Sequence, residues 1–227
     1  PETFSPSLAD RSAAAACRIY FSTGALPFEE ALRESSDVRF VDTSEGIGRV
    51  YGTHTHHHPD GDTHAGDDEG DPHVWTSVSG ARAMAANMAR ALTDDNPDKA
   101  DEYGRRLARL NERFDSIDSA ISARLAGSGA HSFAIWHPSL SYFARDYGLH
   151  QLAIGQESKE MSARMLREAI DRAVADSVRV FFIQKEYDSR QARTINDEIG
   201  SRLVTIDPLD YNWDKQILNI ADELARP

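Results

Sequence analysis

Apolar and polar positions along the chain switch between a strand-like and a helix-like period, and the switching predicts an α/β protein. Ser7 to Ala16 favours a helix with Asp10 and Arg11 on its exposed side. Arg18 to Ser22 reads as a strand, Pro27 to Arg33 as a short helix with proline in its first turn, and Val38 to Val41 as a second strand. Residues 80–92 read as a helix. Asn96-Pro97 then restarts one, with Asn as N-cap and Pro at the first helical position. From there Ala100, Tyr103, Leu107, Leu110, Phe114, Ile117, Ile121 and Leu125 recur at steps of three and four, an amphipathic stripe that Gly127 and Gly129 end. Thirty residues at helical rise make a rod of about 45 Å, long enough to run across two small domains.

Beyond that helix the alternation is strict. Strands are predicted at 132–136, 152–154, 179–183 and 203–206, with helices at 139–147, 162–175, 189–199 and 213–225. Strands alternating with helices form βαβ units and a parallel sheet. The predicted architecture is two α/β lobes, each a parallel sheet flanked by helices, joined by one long rigid linker helix. The lobes cover residues 1–95 and 127–227 and the linker helix 96–126.

One stretch has almost no apolar positions. Residues 52–71 carry six acids (Asp60, Asp62, Asp67, Asp68, Glu69, Asp71) and no basic residue. That accounts for half of the net charge of -12. Such a stretch cannot build a core and reads as a loop. With 25 basic against 37 acidic residues, the chain is not built for nucleic acid or an anionic membrane surface. No apolar run approaches the ~20 residues of a membrane span, and the Pro1 segment has neither the basic nor the apolar region of a signal peptide. The single Cys17 excludes an internal disulfide and is expected to be a buried small hydrophobe.

The candidate chemistry lies in the nine histidines. His54, His56, His57, His58 and His64 fall in the acidic stretch. Imidazoles interleaved with carboxylates bind borderline cations, at modest affinity where the spacing is loose. His73 follows Asp71-Pro72, where the loop meets structured chain. His137 follows the strand ending at Trp136, and Asp207 follows the strand ending at Ile206. Both thus sit at carboxyl ends of parallel strands, where α/β sheets place ligand sites. On the residues alone, a metal site and a set of structural side chains both remain open. Lys185, Glu186, Tyr187 and Asp188 also follow a strand end and are candidates to line the same cleft. His131 and His150 read as surface residues, and Glu157, Lys159 and Glu160 as a solvated loop. Trp75, Trp136 and Trp213 read as core or cleft walls.

Taken in order, several segments resemble the substrate-binding proteins of bacterial ABC transporters for zinc and manganese (cluster A-I, zinc-uptake type). They are Pro1-Glu2-Thr3-Phe4-Ser5-Pro6-Ser7, Gly24-Ala25-Leu26-Pro27-Phe28-Glu29 after a strand, the His-rich loop with Asp71-Pro72-His73-Val74-Trp75, Trp136-His137 with Tyr142-Phe143 and Tyr147-Gly148-Leu149, and Ile206-Asp207-Pro208-Leu209. The resemblance implies a four-ligand site of Glu2, His73, His137 and Asp207, two from each lobe. Glu2 stands where the family has its first His. The family's opening strand, helix and strand would precede Pro1, so the N-lobe sheet is expected to lack its first part. Zinc is the implied metal, with manganese second because it prefers oxygen ligands.

The implied protein is a periplasmic or lipid-anchored monomer that captures zinc and delivers it to a membrane permease. The His-rich loop would be an auxiliary low-affinity binder. A closed four-ligand shell suits binding and not hydrolysis. A zinc hydrolase would need an open coordination position, and no His-Glu-x-x-His pair is present. A metal chaperone or adhesin on the same scaffold is a further alternative.

Overall fold

The computed structural model describes residues 4–34, 36–51, 70–155, 163–187 and 190–227. It divides into two compact units, Pro1–Trp75 with Ser79–Arg113, and Thr76–Val78 with Phe114–Pro227. No helix among the described residues is long and apolar enough to cross a membrane.

In the first unit, α1 (Leu8–Ala15) starts with a capping box: Ser7 Oγ accepts from the Asp10 N–H at 3.2 Å, and Asp10 accepts from the Ser7 N–H at 2.8 Å. β1 (Ile19–Ser22) and β2 (Arg39–Asp42) pair in parallel, and α2 (Pro27–Glu34) provides the crossover that parallel pairing requires. Register partners Tyr20 and Phe40 stack at 4.7 Å. The turn from β1 into α2 is organised by Glu29, only 5% exposed. Its carboxylate accepts from the Thr23 N–H at 2.9 Å, the Gly24 N–H at 3.2 Å and the Thr23 hydroxyl at 3.1 Å. Asn87 of α3 (Val78–Asp95) donates to the carbonyls of Thr43 and Glu45, tying that helix to the end of β2.

Cys17 corrects an expectation. It is exposed, just past the end of α1, and its thiol donates to the Ala13 carbonyl. Only Ala14 of that helix is buried, so the helix end offers no apolar pocket for the sulfur.

Asn96 stands at the N-cap position with Pro97 at the start of the next helical turn, as expected, but its side chain makes no capping bond; its N–H closes the end of α3 on the Leu92 carbonyl. A 3-10 turn at Pro97–Lys99 then leads into α4 (Ala100–Leu125). The predicted stripe is buried only at Phe114, Ile117 and Ile121, while Leu110 is 37% exposed. The long helix is therefore present, and its residues are shared between the two units at Arg113/Phe114.

The second unit holds a parallel sheet in the order β4-β3-β5-β6, made of His150–Ala153, Ser132–Ile135, Val180–Gln184 and Arg202–Ile206. β4 starts two residues earlier than the apolar pattern predicts, because His150 at the exposed start of the strand still pairs with Ser132. Helices α5 (Ser141–Asp146), α6 (Ala163–Ala175), α7 (Arg190–Ile199) and α8 (Trp213–Ala225) alternate with these strands. All five residues of β5 are buried, as a central parallel strand covered on both faces requires. On one face Ala134, Phe181, Leu152 and Ile154 pack with Ile170, Ala173, Ile195 and Ile199. Elsewhere in the unit, Phe133 meets Phe182 edge-on at 5.6 Å and Phe114 meets Trp213 at 5.8 Å. Arg202 of β6 is fastened to Glu223 of α8.

Candidate metal centre

In the first unit the chain reaches His73 through a tightly built entry. Gly70 has φ +69, which favours glycine, and a Cβ there would stand 3.0 Å from the Arg49 Cβ. The Asp71 N–H then donates to the Val50 carbonyl at 2.8 Å, and Pro72 restricts the next φ. Asp71 is fully buried and His73 is 1% exposed. Asp71 Oδ1 lies 2.8 Å from both the backbone N and ring Nδ1 of His73. A carboxylate can only accept, so Nδ1 is the donor in this contact. This carboxylate–imidazole pair is the arrangement that orients a ligating histidine and raises its basicity. Trp75 is half-buried, 5.3 Å from the His73 ring.

In the second unit the sheet register determines which side chains meet. Ile135 pairs with Phe182, so two residues further on His137 falls level with Gln184. Gln184 Nε2 donates to the His137 carbonyl at 2.7 Å and to Ser139 Oγ at 2.8 Å, and its Oε1 accepts from the His137 N–H at 3.3 Å. One side-chain amide thus holds both backbone groups of His137, which is 4% exposed. The ladder runs one residue past β3, with the Trp136 N–H donating to the Phe182 carbonyl and the Trp136 carbonyl accepting from the Gly155 N–H. A Cβ on Gly155 would stand 2.7 Å from the Trp136 indole, so the absence of a side chain there leaves room for that ring. His137 also faces Tyr187, with ring centroids 6.0 Å apart.

Gln184 pairs with Ile206, so Lys185 and Asp207 are the next residues level with one another. They form an ion pair through Asp207 Oδ2, while Asp207 Oδ1 accepts from the Leu209 N–H at 3.1 Å. Hydrogen bonding to Asp207, then its charge, hold the Lys185 ammonium above the usual lysine range. The Asn212 N–H holds the Asp210 carboxyl below the usual range.

His137 and Asp207 therefore share one edge of one sheet, on the strands that flank β5. His73 belongs to the other unit. Glu2, the five loop histidines, Asp188, and Glu157, Lys159 and Glu160 lie outside the described residues. Among the described residues no three His, Cys, Asp or Glu side chains are gathered into a group able to hold a metal. His131 and His150 are exposed, and Trp136 and Trp213 are half-buried, as their sequence reading expects. Sequence reasoning missed Gln184. Its signal was one amide at the end of an otherwise apolar strand, Val180-Phe181-Phe182-Ile183.

A profile described as "ZnuA: Zinc-uptake complex component A periplasmic" matches residues 1–224. The chain belongs to the ZnuA family. It is 29% identical to a zinc-binding lipoprotein AdcA of Streptococcus pneumoniae R6 over 162 residues, which is 70% of this chain and 30% of that protein. It is 28% identical to a putative metal-binding protein of Treponema pallidum Nichols over 187 residues, 80% of this chain and 58% of that one. The chain thus spans about a third to somewhat over half of these curated relatives. A crystal structure of a ZnuA deletion mutant with zinc bound superimposes with a TM-score of 0.86 at 25% identity, covering 99% of this chain and 84% of that one.

Proposed function

We propose that this chain captures zinc outside the cytoplasm and delivers it to the permease of an ABC transporter. The observation that carries the reading is the buried Asp71–His73 pair, a carboxylate-oriented imidazole in a ZnuA-family chain. The zinc-bound ZnuA structure and the zinc-binding name of AdcA support zinc as the cargo. The ligand set is Glu2, His73, His137 and Asp207. Two neutral imidazoles and two carboxylates balance a dication and match the N/O donors of tetrahedral zinc. Four protein ligands leave no position for an attacking water, so the chain binds zinc and does not hydrolyse a substrate. The loop histidines His54, His56, His57, His58 and His64 collect further zinc weakly. The lobes are residues 1–95 and 127–227, with 96–126 as the helix that links them, and the protein acts as a monomer.

The test is a calorimetric zinc titration of metal-stripped protein beside His73→Ala and His137→Ala, with circular dichroism to verify folding. The expected result is one tight site in the wild type that is lost in both variants, with weaker sites retained. A parallel manganese titration should show weaker binding. Only weak zinc binding, unchanged by either substitution, would overturn the reading.

A further inference from the structure

The ion pair between Lys185 and Asp207 is a direct product of strand register. Each residue is the first beyond its strand, β5 and β6 are neighbours, and their preceding residues Gln184 and Ile206 are partners. Side chains level with one another on adjacent parallel strands point the same way, about 4.8 Å apart. Because β5 lies between β3 and β6, Lys185 projects from the strand between those that lead to His137 and Asp207.

The two partners differ in freedom. The Lys185 side chain is 59% exposed and that of Asp207 is 19% exposed. Asp207 is further restrained by the Leu209 N–H and by the turn that Asp210 closes on its carbonyl. The acid is held and the base is free to swing, since a lysine ammonium is a hydrated point charge on a flexible stem. The charges of Glu186 and Asp210 also act on the ammonium, more weakly than that of Asp207.

Resting on the proposed reading of Asp207 as a zinc ligand, we propose that Lys185 is a built-in competitor for the cargo. Its ammonium occupies Asp207 in the empty protein and is displaced when zinc binds. Zinc bound to Asp207 Oδ2 and an ammonium on the same oxygen would be like charges in contact, so the two states exclude one another. The competition lowers zinc affinity, and the returning lysine reoccupies the carboxylate when the metal leaves. For a carrier that must surrender its cargo, this shortens the lifetime of the loaded state.

The test measures zinc affinity of the metal-stripped full chain against a chromophoric chelator, in the wild type, Lys185→Met, Lys185→Arg, Asp207→Asn and the Lys185→Met/Asp207→Asn double variant. Lys185→Met is expected to tighten zinc binding about three- to tenfold, the range of a partly exposed charge pair with added like-charge repulsion. Lys185→Arg, which keeps the charge, should stay near the wild type. In the Asp207→Asn background the lysine substitution should have no effect. Unchanged or weaker binding in Lys185→Met overturns the inference, as does equal tightening in the Asp207→Asn background, which would mark a general charge effect. If Asp207→Asn leaves zinc affinity unaltered, the ligand role of Asp207 fails and the inference falls with it. If Asp207→Asn and His137→Ala weaken zinc but Lys185→Met changes nothing, the site stands and only the competitor role is lost.

Discussion

Asp71 and His73 illustrate how two chain positions with one residue between them can prepare a ligand before any metal arrives. Burial alone would make an imidazole in this position costly, since a buried polar ring needs a partner. Asp71 supplies it and selects the tautomer in the same contact. Asp71→Asn preserves shape but replaces an anionic acceptor with a neutral amide. It is expected to weaken zinc binding by about 10–100-fold, the usual cost of losing such an outer partner. Calorimetry checks the affinity and circular dichroism checks that the fold persists. Gln184 does comparable work through the backbone, holding His137 by its N–H and its carbonyl. The sequence displayed Asp71-Pro72-His73 as a motif, but Gln184 stands 47 positions from His137 and only strand pairing brings them together.

At the scale of elements, the second unit is held by side chains that connect helices to one another and to the sheet. Tyr147, after α5, donates to Asp118 of α4 at 2.7 Å. Burial first, then this bond and the nearby acids, push the phenol far above its ordinary 10.0. A raised folded pKa means the contribution is fully present below pH 10 and is lost as pH rises towards the folded value. Tyr147→Phe should therefore cost about 1 kcal/mol at neutral pH. The difference from wild type should narrow above pH 10, which denaturant titrations across pH would show. The wild type should also retain one un-ionised tyrosine in an ultraviolet titration beyond pH 11, absent from the variant's count. The elements themselves were largely legible. Periodicity located α4, α6, α7 and the four strands of the second unit, because an apolar stripe or run must face a core. A boundary moved where pairing overruled it, as at His150.

For the whole molecule, the proposed reading turns on how zinc stoichiometry would divide between one tight site and the histidine-rich stretch. Deleting residues 53–68 should lower the total number of zinc ions bound and leave the tightest site intact. Loss of tight binding on deletion would mean the stretch contributes to the main site. Zinc should also raise the melting temperature, since a ligand that binds only the folded state stabilises it by mass action. His137→Ala should remove most of that shift, as differential scanning calorimetry would record. The acid-rich composition is suited to attracting cations over about a Debye length of 8–10 Å.

Sequence by itself determined the α/β class, the parallel sheets, the long helix and the short list of residues with metal chemistry. These follow from local periodicity, turn residues and donor type, all of which are written along the chain. Sequence misjudged Cys17 because exposure depends on what packs over a helix end, not on residue type. Only the tertiary structure decided that Asp71 orients His73, that Gln184 supports His137 and that Lys185 meets Asp207. The last two are consequences of strand order and register, and register relates positions far apart in sequence that no local pattern can pair.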